Sequence, residues 1–158
     1  MSKYLSIYLN DHLAGAVAAL ELLDKAQSWE IDEDIKAGLA SLKRDIEKDR
    51  VALESLINRL GSGESTFRKA SAWITEKVAE LKLIFDDPRD GQFRLFESLE
   101  ALSLGIEGKC SLWRALDVAM DKTELGDTDL KLLTKRAEEQ RTRVEKLRLM
   151  IARDVLTT

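Results

Sequence analysis

Apolar residues recur every three or four positions along almost the whole chain, and this spacing constrains the fold more than any other feature. The first such stripe consists of Leu5, Leu9, His12, Ala16, Ala19 and Leu23. Side chains at this spacing share one face of an α-helix. The sequence lacks the alternating β-branched runs and Asn-Gly turns that are typical of strands and hairpins. We therefore expect an all-α fold.

Breaks in the spacing divide the chain into five predicted helices, covering residues 3–26, 32–60, 64–85, 92–121 and a last segment that ends near residue 155. Gly61 can cap the second helix. The only proline follows the third helix. Asp127 or Thr128 can cap the last helix.

Short connections favour antiparallel neighbours, so the first two helices form one hairpin and the last two form another. The third helix carries the chain back along the bundle, which makes the second and fourth helices parallel. We expect an up-down four-helix bundle of two antiparallel hairpins with a helical crossover, and a single domain over residues 1–158.

Two segments, YLNDHLAGAVAALELL and FESLEALSLGIEGKCSLWRAL, resemble parts of small, uncharacterised bacterial proteins, and the helix order resembles the ferritin-like four-helix bundle. Di-iron members of that superfamily use one glutamate from each of two helices and a Glu-x-x-His pair from each of the other two. This chain has one histidine, on the helix where a lone glutamate would lie. The inward positions for the pairs hold Ile46 with Asp49, and Ala137 with Gln140. The sequence therefore predicts no di-iron site.

His12 and Asp49 both interrupt apolar stripes. Each lies about 18 residues from the centre of the turn between the first two helices, so they should share one layer. We expect the carboxylate to pair with the imidazole and to favour its protonated form. Fixing the helix register is the predicted role. Proton transfer or ligand contact is one alternative, and a noncanonical Fe or Mn site that adds Glu100 is another.

Glu100 and Glu107 share a face of the fourth helix but lie ~10 Å apart along its axis, too far for a compact dyad. We expect salt bridges to the last helix through Arg143 or Arg148. Cys110 is predicted to be a small core residue.

Gly105 and Gly108 lie mid-helix, where each costs ~1 kcal/mol relative to alanine. A matching patch of small residues on the first helix comprises Ala14, Gly15, Ala16, Ala18 and Ala19. These patches predict a close approach of the first and fourth helices, with little room for a ligand at mid-bundle. Trp113 fits the core stripe, whereas Trp29 and Trp73 are placed to close the bundle ends or mark a partner surface.

The net charge of −4 does not suggest a nucleic-acid binder, which would present a basic face. No segment has the pattern of a signal peptide or of a membrane span, so we expect a cytoplasmic protein.

The sequence favours a non-catalytic bundle that acts through protein contacts or self-association, with no cofactor. One alternative is a metal-binding protein or oxidoreductase with a reduced site around His12. Another is a small-molecule carrier with a pocket near Glu107 and Gln140. The candidate polar core site thus comprises His12, Asp49, Glu100, Glu107 and Gln140.

Overall fold

The structure, a computed structural model, describes residues 1–61, 75–76, 79 and 91–157. Its helices within these ranges are α1 (Lys3–Ala26), α2 (Glu33–Leu60), α3 (Gly91–Ala119), α4 (Lys122–Leu125) and α5 (Leu130–Leu156). The expected all-α fold is confirmed. The predicted crossover helix over residues 64–85 and the break at Pro88 lie outside the described residues, apart from helical residues 75, 76 and 79. Trp73 lies outside them too.

Polar side chains cap the N-termini of α2, α4 and α5. The Asp32 carboxylate accepts from the backbone N–H of Asp34 at 2.8 Å and so caps α2. Asp129 caps α5, which corrects the prediction of Asp127 or Thr128. The short helix α4 was not predicted. Asp121 and Glu124 form a reciprocal capping box around it, and this local hydrogen bonding makes one helical turn out of a segment that the apolar spacing suggests is only a turn.

Contacts between helices pair rising residue numbers in one helix with falling numbers in its neighbour. They include Asp24–Lys43 and Gln27–Lys36 between α1 and α2, Asp45–Arg143 and Asp49–Gln140 between α2 and α5, and Glu100–Arg148 and Arg114–Glu138 between α3 and α5. Each of these pairs is therefore antiparallel. Because α2 and α3 both run against α5, they run parallel to each other, as predicted. The α1 helix also packs on α3.

The core follows the predicted stripes closely. Trp113, Cys110, Ala137 and Val144 are each at most 1% exposed. They pack with leucines and isoleucines from α1, α2, α3 and α5 in one cluster. Two polar residues, Asp49 and Gln140, are also buried, and each is 2% exposed. Their burial defines the layer in which the candidate site lies.

Candidate functional site

The centre of the candidate site is the buried carboxylate of Asp49 on α2. Lys109 on α3 donates from Nζ to Asp49 Oδ2 at 2.7 Å, and it also donates to the side-chain oxygen of Gln140. Gln140 on α5 donates from its amide nitrogen to the same carboxylate oxygen at 2.9 Å. Three helices therefore meet at one hydrogen-bonded cluster, in which Asp49 Oδ2 accepts from two donors, whereas Asp49 Oδ1 accepts no hydrogen bond from the described residues.

A second cation completes this cluster. Arg136 Nη2 lies 2.8 Å from Asp49 Oδ1, and the same guanidinium group donates to the backbone carbonyl of Asp45 at 3.4 Å. The cluster thus sets one carboxylate against two cations. We name Asp49, Lys109, Arg136 and Gln140 the charge cluster.

Lys109 and Arg136 were not predicted as site residues. Lys109 lies three residues after Ile106 and four before Trp113, so it shares the inward side of α3 with them, next to the fully buried Cys110. This inward spacing was the available signal. Burial lowers the pKa of the Lys109 ammonium, and the neighbouring Asp49 carboxylate opposes the shift. Arg136 gives no comparable signal, because it lies beside the stripe of α5 and reaches Asp49 only through its long side chain.

His12 does not form the predicted pair with Asp49. Among the described residues, the groups that contact the Asp49 carboxylate come from the charge cluster. The half-buried imidazole packs instead edge-on against the ring of Tyr8, with ring centroids 4.7 Å apart. Burial lowers the pKa of His12, and Asp11 is the charge that opposes this shift. The expectation that a carboxylate favours protonated His12 is therefore wrong, because desolvation outweighs the nearby acid.

A cavity of 270 Å³ lies beside the charge cluster, between α1, α2 and α3. His12 and Asp49 both line it. They occupy one layer as predicted, because His12 lies beside Gly108 and Asp49 bonds to Lys109, the next residue along. The rest of its wall is largely apolar, and includes Gly15, Ala16, Ala18, Ala19, Leu22, Ile46, Leu53, Ala101, Leu102, Gly105, Ile106, Gly108, Leu112 and Trp113. The small-residue patches of α1 and α3 thus face an open space.

The predicted close approach of these patches is therefore wrong. A Cβ atom built on Gly15 or Gly105 would meet no atom within 4 Å, and one on Gly108 would lie 3.9 Å from His12 Cε1. The side chains of glycine and alanine supply too little volume to fill the space between the two helices. Larger residues, including Leu22 and Trp113, line the same cavity.

Trp113 contains an unsatisfied group. Its side chain is 1% exposed, and its indole N–H has no hydrogen-bond partner among the described residues. A buried donor without an acceptor costs roughly 1–3 kcal/mol. The tryptophan lies four residues after Lys109 on α3, so both side chains project from the same face of the helix.

The two glutamates of the candidate site lie at the surface instead. Glu100 is exposed and lies 3.5 Å from Arg148, which confirms one predicted salt bridge. Glu107 binds Arg141 instead of Arg143 or Arg148, because Arg143 pairs with Asp45. Neither Glu107 nor Gln140, near which a ligand pocket is predicted from the sequence, lines the cavity, because the Gln140 side chain is enclosed by its hydrogen bonds to Lys109 and Asp49.

Cys110 is fully buried in the core, as predicted. Burial raises the pKa of its thiol, and Glu107 adds to the shift, so the reactive thiolate is disfavoured. The residues that the structure describes contain no group of three or more histidine, cysteine, aspartate or glutamate side chains that could hold a metal ion. Glu100, the third residue of the alternative metal site, is exposed and pairs with Arg148, and it does not line the cavity with His12 and Asp49.

No family model, curated protein or solved structure matches the chain. The function is therefore inferred from the geometry of the charge cluster and the cavity. In the described part of the chain, no helix combines the length and apolar character needed to cross a bilayer.

Proposed function

We propose that this protein binds a small, largely apolar molecule in the cavity between α1, α2 and α3. The cavity itself is the observation that carries the proposal. Interiors of folded proteins are close-packed, and voids larger than a water molecule are few. A space of 270 Å³ at mid-bundle is large by that standard, and an apolar cavity of about 150 Å³ already accommodates benzene.

The composition of the wall supports binding of this kind. Ligand sites are mostly apolar concavities with a few polar groups that orient the ligand. Here the polar groups are Asp11, His12, Asp49, Arg50 and Lys109, and the remaining lining residues are apolar, small or aromatic. An apolar ligand would remove this surface from contact with water, which contributes a binding free energy of about 25 cal/mol per Å² of apolar surface buried.

The cavity also has a route to solvent. Gly15 on α1 and Gly105 on α3 line it, and both are exposed, as is Asp11. A Cβ atom built on either glycine would meet no atom within 4 Å, so in the described part of the chain these positions leave space at the surface between the two helices. A ligand can therefore enter between α1 and α3 while the charge cluster on the α2–α5 side stays closed.

Calorimetric titration with 1-octanol and 1-naphthol tests the proposed function. We expect saturable binding with one site per chain and a negative heat-capacity change, because apolar surface is buried. Ala18→Leu places extra side-chain volume in the cavity and should weaken binding at least tenfold. Ala37→Leu makes the same change on an exposed part of α2 and should leave binding unchanged. Equal affinity in wild-type protein and Ala18→Leu would contradict the proposal.

A second candidate is association with a protein partner or a second copy. Tyr4, Ile7 and Tyr8 lie at helical spacing on one face of α1 and are 82%, 42% and 36% exposed. Exposed aromatic groups that share a face favour protein contacts. Light scattering after size-exclusion chromatography tests self-association. A dimer that Tyr4→Ser with Ile7→Ser converts to monomer would support it, and a monomer at all concentrations would contradict it.

We also propose that the bundle has the ferritin-like arrangement. The parallel directions of α2 and α3, and the packing of each hairpin against the other, support this arrangement. A crystal structure tests it through residues 62–90. One helix that runs the length of the bundle would support the proposal, and a connection that leaves the bundle would contradict it.

A further inference from the structure

We infer that the ligand of the cavity is an apolar monocarboxylate whose carboxylate oxygens accept hydrogen bonds from Lys109 Nζ and the indole N–H of Trp113. This inference rests on the proposed function and specifies the chemical class of the ligand. It depends on two donors on one face of α3, the excess positive charge beside them and the separation of polar and apolar ends within the cavity.

The Lys109 ammonium has a donor to spare. An ammonium group carries three N–H donors. Two are used, one by Asp49 Oδ2 at 2.7 Å and one by the side-chain oxygen of Gln140. No acceptor for the third comes from the described residues. Because Lys109 lines the cavity, a ligand oxygen there can accept this third hydrogen bond.

Trp113 supplies the second donor. It lines the same cavity, four residues further along α3, and its buried N–H has no acceptor among the described residues. A carboxylate has two oxygens and several lone-pair sites, so it can accept from both groups at once. A neutral alcohol offers one oxygen and no charge.

The charge balance favours an anion. Asp49 neutralises one of its two cationic neighbours, Lys109 and Arg136, so the charge cluster carries one excess positive charge. Hydrogen bonds in which one partner is charged are roughly twice as strong as those between neutral groups. Arg50 also lines the cavity, but Glu47 and Glu54 pair with it. Asp11 is a second lining carboxylate, but it is exposed, so solvent and salt screen its charge.

The register of α1 and α3 gives the cavity a polar and an apolar end. His12 of α1 lies beside Gly108 of α3. The polar end of the cavity is therefore the end formed by His12, Lys109 and Trp113. Because the helices are antiparallel, the opposite end is formed by Ala19 and Leu22 of α1 with Ala101 and Leu102 of α3. From His12 to Leu22 the helix rises ~15 Å. An extended acyl chain with its carboxylate at Lys109 follows this axis.

Binding of a charge series tests the inference in wild-type protein. Octanoate, 1-octanol and octylammonium have the same chain length and differ in the head group. Each is titrated calorimetrically below its aggregation concentration. We expect octanoate to bind at least about tenfold more tightly than 1-octanol, as one charge-assisted hydrogen bond provides, and octylammonium to bind most weakly.

Two variants assign the preference to the named donors. Lys109→Met combined with Asp49→Asn removes the ammonium donor together with its counter-ion, and it keeps the net charge of the charge cluster because the partly exposed Arg136 remains. Trp113→Phe removes the indole N–H and keeps an aromatic ring. We expect each to reduce the octanoate preference over 1-octanol at least threefold. The control, Trp29→Phe, lies outside the cavity lining and should keep the full preference. Circular dichroism establishes that each variant is helical.

The outcomes separate this inference from the proposed function. If 1-octanol or octylammonium binds as tightly as octanoate, and Ala18→Leu weakens that binding, the cavity is a ligand site and the carboxylate assignment is wrong. If octanoate is preferred equally in wild-type protein and both donor variants, the assignment to Lys109 and Trp113 is wrong. If none of the three binds, the proposed function and this inference both fail.

Discussion

The two sides of the mid-bundle layer have the same helical spacing, but one side is filled by side chains and the other contains a cavity. On the α2–α5 side, long polar side chains fill the space, and Asp49 and Gln140 are each 2% exposed. On the α1–α3 side, small residues leave a cavity of 270 Å³. Lys109 belongs to both sides, because it bonds to Asp49 and lines the cavity.

The difference shows that small residues do not by themselves bring two helices together. Gly38 on α2 does allow close packing, since a Cβ there would lie 3.1 Å from a methyl group of Leu147 on α5. Gly105 on α3 faces open space. The difference lies in whether the opposite helix presents a large side chain at that height. A helix face of alanines opposite glycines supplies too little volume to close the gap.

The largest expected effect comes from breaking the charge cluster. Asp49→Ala should lower the free energy of unfolding by about 3–5 kcal/mol, because it leaves Lys109 buried without its counter-ion. Urea denaturation measures the change. The matched control is Asp45→Ala, which removes a partly exposed partner of Arg143 and should cost less than about 1 kcal/mol. Equal losses for the two variants would mean that the closed side is not held by the charge cluster.

Adding volume to each side should give different results. Ala137 on α5 is fully buried in the packed core, so Ala137→Leu should lower the free energy of unfolding by about 1–3 kcal/mol through overpacking. Ala18→Leu enters the cavity and should change it by less than about 1 kcal/mol. Urea denaturation of both variants makes the comparison. A cost for Ala18→Leu as large as that for Ala137→Leu would indicate that the cavity side is already filled.

The two helical glycines provide a finer test. Gly105→Ala should raise the free energy of unfolding by about 1 kcal/mol, because alanine favours the helix and the added methyl group meets no atom. Gly38→Ala has the same helical benefit, but its methyl group presses on Leu147, so the gain should be smaller or absent. Thermal unfolding of both variants measures the difference, and a larger gain at Gly38 would contradict it.

The smallest expected effect concerns pH. Burial lowers the pKa of His12 below the ordinary value of 6.5, so the unfolded chain takes up a proton before the folded one does. Stability should therefore fall as the pH drops from about 7 through that value. His12→Gln removes the only histidine and should reduce this loss, as measured by urea denaturation at a series of pH values. An identical pH profile for both proteins would show that His12 is not desolvated.

Much of the fold could be predicted because it depends on local spacing. The bounds of α1 were predicted to the residue, and the burial of Asp49 and Gln140 followed from their positions in apolar stripes. The site was harder to predict, since the length of a lysine side chain lets Lys109 reach across to Asp49 from another helix. The cavity could not be predicted because it depends on the distance between helices, which residues in neighbouring layers set. Cytoplasmic location and a single domain stay predictions.

The most direct test of the account is an amide NMR titration with octanoate, using glycine signals as reporters. The amide signals of Gly15, Gly105 and Gly108, which line the cavity, should shift in a saturable way. The amide signals of Gly38 on the closed side and of Gly126 in the turn after α4 should not shift. Shifts at Gly38 equal to those at Gly105, or no shifts at any glycine, would contradict the claim that the α1–α3 side of the bundle is a ligand site.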